Sequence, residues 1–115
     1  MDKDTLFILP PGFMDNGRRE YCPECAELWG LLSYYPAYMP YFDIQHVGIT
    51  HPRTPLTTLL GPGNHNAPTL ALATDSPRET EAEIKHANGH AYIDSARQIG
   101  VYFSDRFGTA RPRGT

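Results

Sequence analysis

The sequence has only two cysteines, no excess of positive charge and no long apolar run. Its 10 Lys and Arg residues against 13 Asp and Glu residues leave a net charge of −3. We therefore expect no nucleic-acid binding, because proteins that bind nucleic acids carry basic surfaces. No stretch approaches the roughly 18 apolar residues of a membrane-spanning helix, so no membrane span is expected. The first residues show no signal-peptide pattern, which predicts a cytoplasmic protein.

The remaining composition is typical of one globular domain. Of the 115 residues, 40% are hydrophobic and 20% are charged, which is enough for one core and too little chain for two. We predict a single domain over residues 1–108. Residues 109–115 follow the last helical pattern and are predicted to form a flexible tail.

Hydrophobic patterns predict strands and helices in the order β-α-β-α-β-β-α. The helices are expected to begin near Cys22, at Thr54 and after Ser95, and the four strands lie at residues 5–9, 41–49, 68–73 and 90–94. The first two βαβ steps should be right-handed, and the last two strands should be antiparallel. This order predicts an α/β fold with a four-stranded mixed sheet and helices on both faces. Residues 10–21 are predicted to be a loop, and the acidic residues 74–89 to loop out with one helical turn.

Both cysteines fall at the predicted start of the first helix, with two residues between them. A helix N-terminus offers free N–H groups and a positive dipole, both of which favour a thiolate. Cys22 is therefore the candidate nucleophile, and Cys25, one turn further in, is the candidate resolving thiol. A C-x-x-C motif that opens the first helix of a βαβ unit indicates redox chemistry. Two other interpretations stay open, namely half of a metal site and a pair of inert buried thiols.

The metal interpretation has little support in the spacing of other ligands. A structural zinc site needs four ligands, and His46, His51 and His65 have no ligand-like spacing to the cysteines. We predict that these histidines lie in loops or on the surface. An iron–sulfur cluster shared by two chains would supply the missing ligands. Arg18 and Arg19 either lower the pKa of the nearby thiol or are solvated loop residues.

Four segments, TLFIL, YCPEC, NAPTLAL and HAYIDSARQIGVYFSDRFG, resemble thioredoxin-like proteins of the glutaredoxin type. The last two also resemble the N-terminal domain of glutathione transferases. The whole pattern resembles an uncharacterised bacterial family of small thioredoxin-like proteins. The resemblance implies a thiol–disulfide oxidoreductase that requires no cofactor, uses glutathione as reductant, and acts on a thiol or disulfide such as glutathione or a protein disulfide.

The same resemblance implies roles for residues outside the cysteine motif. Pro68 would be a cis proline facing the cysteines, and the backbone of Ala67 would pair with a bound thiol. Asp94 and Ser95 would bind the γ-glutamyl end of glutathione. The residues by themselves leave simpler roles open, since Pro68 also suits the start of a strand and Ser95 the cap of a helix.

A non-catalytic binding module is the alternative function. Such a module would present the cysteine face, or the acidic insertion at residues 75–89, to a protein partner. This insertion and the long loop before Cys22 are departures from a minimal glutaredoxin.

Overall fold

The computed structural model describes all 115 residues and contains a five-stranded mixed sheet, a separate two-stranded ribbon and three α-helices. A 3-10 helix, Pro36–Tyr41, follows the first α-helix. The other elements are, in chain order, β1 (Asp4–Ile8), β2 (Phe13–Asp15), β3 (Arg18–Glu20), α1 (Pro23–Tyr34), β4 (Phe42–His46), α2 (Thr54–Leu60), β5 (Thr69–Ala71), β6 (Lys85–Ala87), β7 (His90–Ile93) and α3 (Ala96–Phe107).

The strands of the large sheet are ordered β4-β1-β5-β7-β6. β1 runs parallel to β4, whereas β5, β7 and β6 pair in an antiparallel manner with their neighbours. All five residues of β1 are buried. Its position between two other strands and between two helical layers explains the continuous apolar run in its sequence.

Helices cover both faces of the sheet, as the sequence predicted. Phe42 of β4 stacks on Phe103 of α3 with ring centroids 4.8 Å apart, so α3 covers that face. Phe7 of β1 points to the opposite face, because side chains alternate along a strand and Phe42 pairs with Asp4. There Phe7 and Leu59 of α2 line one surface depression. None of the three α-helices has the length and apolar character that a membrane crossing requires.

The prediction of a four-stranded sheet is wrong, because β6 is a fifth strand. The helical turn predicted within residues 74–89 is also wrong, because β6 lies in that segment. Lys85–Ala87 pairs with β7 and forms the edge of the sheet. Asn88 and Gly89 make the connection, with φ values of 51° and 78°. An Asn-Gly pair adopts these positive φ angles readily and closes a tight hairpin, which places β6 beside β7.

The loop predicted at residues 10–21 is also wrong in part, because it contains the β2–β3 ribbon. Asn16 and Gly17 form its turn with φ values of 53° and 70°. The same Asn-Gly signal therefore occurs twice in this chain, each time between two short strands.

The acidic insertion packs along α3 and does not loop out. The hydroxyl of Tyr102 donates to the carbonyl of Pro77 at 2.9 Å. The Thr80 hydroxyl donates to Asp105 at 2.7 Å, and Ala82 is buried. Residues 77–83 thus cover one side of α3 on the way to β6.

Residues of the predicted tail contact the groove between α1 and α3. Thr109 is buried, and the backbone N–H of Ala110 donates to the hydroxyl of Tyr35 at 3.1 Å. Pro112 lies against Gly100, where an added Cβ would stand only 2.6 Å from the Pro112 Cγ. Gly100 therefore leaves the space that this contact occupies. Flexibility of residues 109–115 in solution stays a prediction.

Candidate functional site

The two cysteines lie at the N-terminus of α1, next to the end of β1. Cys22 is the N-cap residue, with φ −83° and ψ 115°, and Pro23 occupies the first turn. The Cys22 Sγ accepts a hydrogen bond from the Cys25 backbone N–H at 3.2 Å. Its sulfur thus replaces the side-chain oxygen that usually caps a helix. Both cysteines are free thiols, and Cys22 is half-buried.

Cys25 is 3% exposed, one helical turn further into the core. Its Sγ accepts a hydrogen bond from the Leu9 backbone N–H at 3.4 Å. Burial, followed by the interaction with the Cys22 thiol, raises the pKa of Cys25 to about 12. The Leu9 N–H acts in the opposite direction, because it stabilises the thiolate. In the free, reduced protein Cys25 is therefore protonated at neutral pH.

A cavity of about 630 Å³ opens directly beside both thiols. Most of its wall is apolar or aromatic, and no Lys, Arg, Asp or Glu side chain contributes to it. The nine lining residues are Leu9, Pro10, Pro11, Tyr21, Cys22, Cys25, Ala26, Trp29 and His46. Volumes of roughly 300–1,000 Å³ with mostly apolar walls are usual for small-molecule sites.

Three of these lining residues were not candidates from the sequence. The sequence alone predicts only a surface or core position for each of them, namely Tyr21, Trp29 and His46. His46 ends β4 opposite Ile8 of β1, and this parallel pairing brings its imidazole to the cavity. Only the position of Tyr21 directly before the cysteine motif was a signal within the sequence.

Pro68 and Ala67 precede β5 and lie outside that cavity. The Ala67–Pro68 peptide bond is cis, and Pro68 is buried. Asn66 anchors this segment, because its side-chain amide donates to the Asp94 carbonyl at 2.7 Å. Its own carbonyl accepts from the Thr69 hydroxyl at 2.6 Å. The segment before β5 is thereby tied to the residues that precede α3.

The side chains of Asp94 and Ser95 both have partners within the protein. Lys85 binds the Asp94 carboxylate at 3.0 Å, and this interaction raises the pKa of Lys85. The Ser95 Oγ accepts from the Gln98 backbone N–H at 3.3 Å, which is the predicted helix cap. Binding of glutathione by Asp94 and Ser95 stays a prediction. A bound glutathione would compete with Lys85 for Asp94 and with the Gln98 N–H for Ser95.

Glu24 connects the cysteine helix to α3. Its carboxylate accepts a hydrogen bond from the Ala96 backbone N–H at 3.2 Å. An acidic side chain at the N-terminus of a helix interacts favourably with free N–H groups and the dipole. The first turns of α1 and α3 are therefore held together beside the cysteines.

The remaining histidines and Arg18 do not join the cysteine site. The rings of His51 and His65 contact each other, with centroids 4.1 Å apart. Desolvation and then the neighbouring His65 and Arg53 lower the pKa of His51. Arg18 pairs with Glu20 at 2.8 Å on the β2–β3 ribbon. The structure contains no group of three or more His, Cys, Asp or Glu side chains that could hold a metal ion.

Comparison with protein families yields a match that spans nearly the entire chain. Residues 3–111 match the model of a family described as protein of unknown function (DUF3088). The chain belongs to this DUF3088 family. No curated protein and no solved structure matches it. Since the family description states no activity, a function for this DUF3088 chain has to be argued from the two thiols and the cavity beside them.

Proposed function

We propose that this protein is a thiol–disulfide oxidoreductase with a thioredoxin-like fold. The strand order β4-β1-β5-β7, with β1 parallel to β4 and antiparallel to β5, supports the fold assignment. So does the placement of the C-x-x-C motif at the start of the helix that follows β1. β6 and the β2–β3 ribbon are additions to such a core.

The difference between the two thiols is the observation that carries this proposal. Cys22 caps a helix and lines an open cavity, whereas Cys25 is buried directly behind it. A disulfide substrate can reach the Cys22 sulfur from the cavity. The Cys22 sulfur also accepts a hydrogen bond from the Cys25 backbone N–H at 3.2 Å, at the positive end of the helix dipole. Cys25 is protected from solvent but lies next to the sulfur that it has to attack.

The reaction consists of two exchanges at sulfur. The Cys22 thiolate attacks one sulfur of a disulfide R–S–S–R, forms the bond Cys22–S–S–R, and releases one thiolate R–S⁻. The Cys25 thiol loses its proton and attacks the Cys22 sulfur, which releases the second R–S⁻. Both leaving groups take up protons as thiols. The substrate gains two electrons, and the protein loses two as it forms the Cys22–Cys25 disulfide.

The first exchange prepares the second. The Cys22 thiol is itself one of the groups that raise the pKa of Cys25, through a side-chain hydrogen bond and through its charge. We expect both influences to weaken when Cys22 enters the mixed disulfide, because its sulfur can then carry no negative charge. This change would favour release of the Cys25 proton at the stage at which Cys25 acts as nucleophile.

A thiol reductant completes the cycle by reducing the Cys22–Cys25 disulfide. We propose glutathione or a protein dithiol for this role. Two glutathione molecules would supply the two electrons and leave as glutathione disulfide.

The test isolates Cys22 in a Cys25→Ser variant and measures its rate of alkylation by iodoacetamide as a function of pH. The expected midpoint lies below the free-thiol pKa of about 8.5, because the helix N-terminus favours the thiolate. The same variant should retain a disulfide substrate as a stable mixed disulfide, since the resolving thiol is missing. Mass spectrometry of the intact protein detects that adduct.

A Cys22→Ser variant is the matched control and should form no adduct under the same conditions. A Cys22 pKa at or above about 8.5 would overturn the catalytic assignment. In cells, a Cys22→Ser variant that supports the full function of the protein would favour the non-catalytic binding module.

A further inference from the structure

The cavity beside the cysteines lies on one particular side of β1. Leu9, Pro10 and Pro11 follow β1, and His46 ends β4, so the cavity opens toward the β4 edge of the sheet. Pro68 precedes β5, which is the neighbour of β1 on the other side. The cavity beside the thiols therefore lies toward β4, whereas Pro68 lies toward β5 and is not part of its wall.

The wall of this cavity has a consistent chemical character. Trp29 and Tyr21 supply aromatic surface, and the two prolines supply rigid apolar surface. His46, the Tyr21 hydroxyl and the Trp29 indole N–H are the polar side-chain groups of the wall besides the thiols. The wall contains no Lys, Arg, Asp or Glu side chain, so His46 is the only titratable group besides Tyr21 and the thiols that could meet the carboxylates and ammonium group of glutathione. Such a wall suits an uncharged apolar group, whose burial is favourable.

We propose that this cavity binds the aromatic or other apolar portion of a small, uncharged disulfide while its sulfur meets Cys22. This inference rests on the proposed thiol–disulfide exchange and adds the class of substrate to it. The two exchanges balance as described above, with two glutathione molecules or one protein dithiol as the final reductant. Glutathione would then serve as reductant only and would not occupy the cavity.

Two disulfides with similar leaving thiols provide the test. Bis(2-phenylethyl) disulfide presents an aromatic group to the cavity, and bis(2-hydroxyethyl) disulfide presents a small polar one. The rate of adduct formation at Cys22 is measured in the Cys25→Ser variant and divided by the rate for free cysteine. The phenylethyl compound should be favoured at least about tenfold, because one phenyl group becomes buried. Glutathione disulfide should react no faster than the hydroxyethyl compound.

Substitutions in the wall should remove that preference. Trp29→Ala and Tyr21→Ala, each made in the Cys25→Ser background, should reduce the ratio of the phenylethyl rate to the hydroxyethyl rate severalfold. Tyr21 is 63% exposed, so its loss should not disturb folding. Tyr34→Ala is the control, because Tyr34 is an exposed aromatic residue on α1 that lines the separate groove toward α3. Equal normalised rates for the two disulfides would overturn the assignment of substrate class.

A second measurement does not depend on thiol chemistry. Trp29 is the only tryptophan of the chain, so its fluorescence reports on the cavity. In a Cys22→Ser variant, 2-phenylethanol should change that fluorescence in a saturable manner, whereas ethylene glycol should not. Saturable binding of 2-phenylethanol, together with a wild-type protein that shows no disulfide exchange, would support the apolar cavity and refute the oxidoreductase function. Exchange activity without saturation would retain the oxidoreductase and refute the cavity's role.

Discussion

The two ends of β1 each hold a buried polar group, and the protein surrounds them in opposite ways. Asp4, at the start of β1, is 1% exposed and accepts hydrogen bonds from the Ala73 backbone N–H at 2.8 Å and from the Ser76 hydroxyl. Arg106 of α3 pairs with it at 2.6 Å. At the other end, Cys25 has a single backbone donor and borders a cavity of about 630 Å³.

This contrast separates a structural site from a candidate site of chemistry. Every carboxylate oxygen of Asp4 has a partner, and the Arg106 guanidinium also lies 4.9 Å from the Phe107 ring centroid. Such a closed network holds β1, the segment after β5 and the end of α3 together. The cysteine end is less filled, and the reactive atoms there face open space. Four residue steps along β1, roughly 13 Å, are enough to separate the two functions.

The largest effect is expected from breaking the ion pair at the Asp4 end. Arg106→Met leaves the buried Asp4 carboxylate without its counter-charge, and we expect a loss of about 3 kcal/mol in the free energy of unfolding. Urea denaturation measures this loss. Alkylation of Cys22 in the folded variant should proceed at the wild-type rate, because the two ends of β1 are independent.

Arg97→Met provides the matched control for that variant. Arg97 pairs with Glu27 at 3.2 Å, but both side chains are largely exposed to solvent. Its loss should cost much less stability than the loss of Arg106, because solvent screens surface ion pairs. Equal destabilisation by the two substitutions would show that the buried Asp4–Arg106 ion pair contributes no more to stability than a surface ion pair.

An intermediate effect is expected from titrating Cys25 at the other end. Its pKa is raised from 9.0 to about 12 in the folded protein, so the folded state keeps the proton at pH values where the unfolded chain releases it. The stabilising contribution is complete below pH 9 and is lost as the pH rises toward 12. At pH 10 the wild-type protein should have lost about 1 kcal/mol relative to a Cys25→Ala variant followed over the same pH range.

Unfolding curves at several pH values between about 7 and 10 measure this difference in slope. The Arg106→Met variant should keep the wild-type slope, because its thiols are intact. A Cys25→Ala variant with the same slope as wild type would contradict the raised pKa of Cys25.

The smallest effect concerns Ser95, which lies near the cysteine end but has a structural partner. Ser95→Ala removes the cap of α3 and should cost about 1 kcal/mol of stability. If Ser95 only caps the helix, the KM for glutathione in a reductase assay should not change. An increase of tenfold or more in that KM would instead support the role in glutathione binding that the resemblance implies. Ser104→Ala, on the same helix but away from its N-terminus, serves as control.

Much of the fold could be predicted because its signals are local. Pro23 and Pro36 mark the ends of α1 closely, and Ser95 and Gly108 mark those of α3. The two Asn-Gly turns are equally local signals, and the strands that the prediction missed, β2, β3 and β6, lie directly beside them. Each of these three strands is only three residues long, which is too short for an alternating pattern to be recognised.

The candidate site was predictable only in its reactive atoms. The C-x-x-C motif and the helix start are adjacent in the chain, so Cys22 and Cys25 could be assigned an order. His46 reaches the same cavity through the parallel pairing of β1 with β4, which joins residues that are distant in sequence. No pattern around His46 distinguishes it from the other histidines of the chain.

By itself, the sequence determined the alternation of strands and helices, the position of two thiols at a helix start, and a net charge of −3. These features depend on periodicity, capping and composition, all of which act over a few residues. The tertiary structure decided which thiol is buried, where the cavity lies, and that Asp4 meets Arg106. Those properties depend on contacts between distant segments, and burial and desolvation exist only after such segments have packed together.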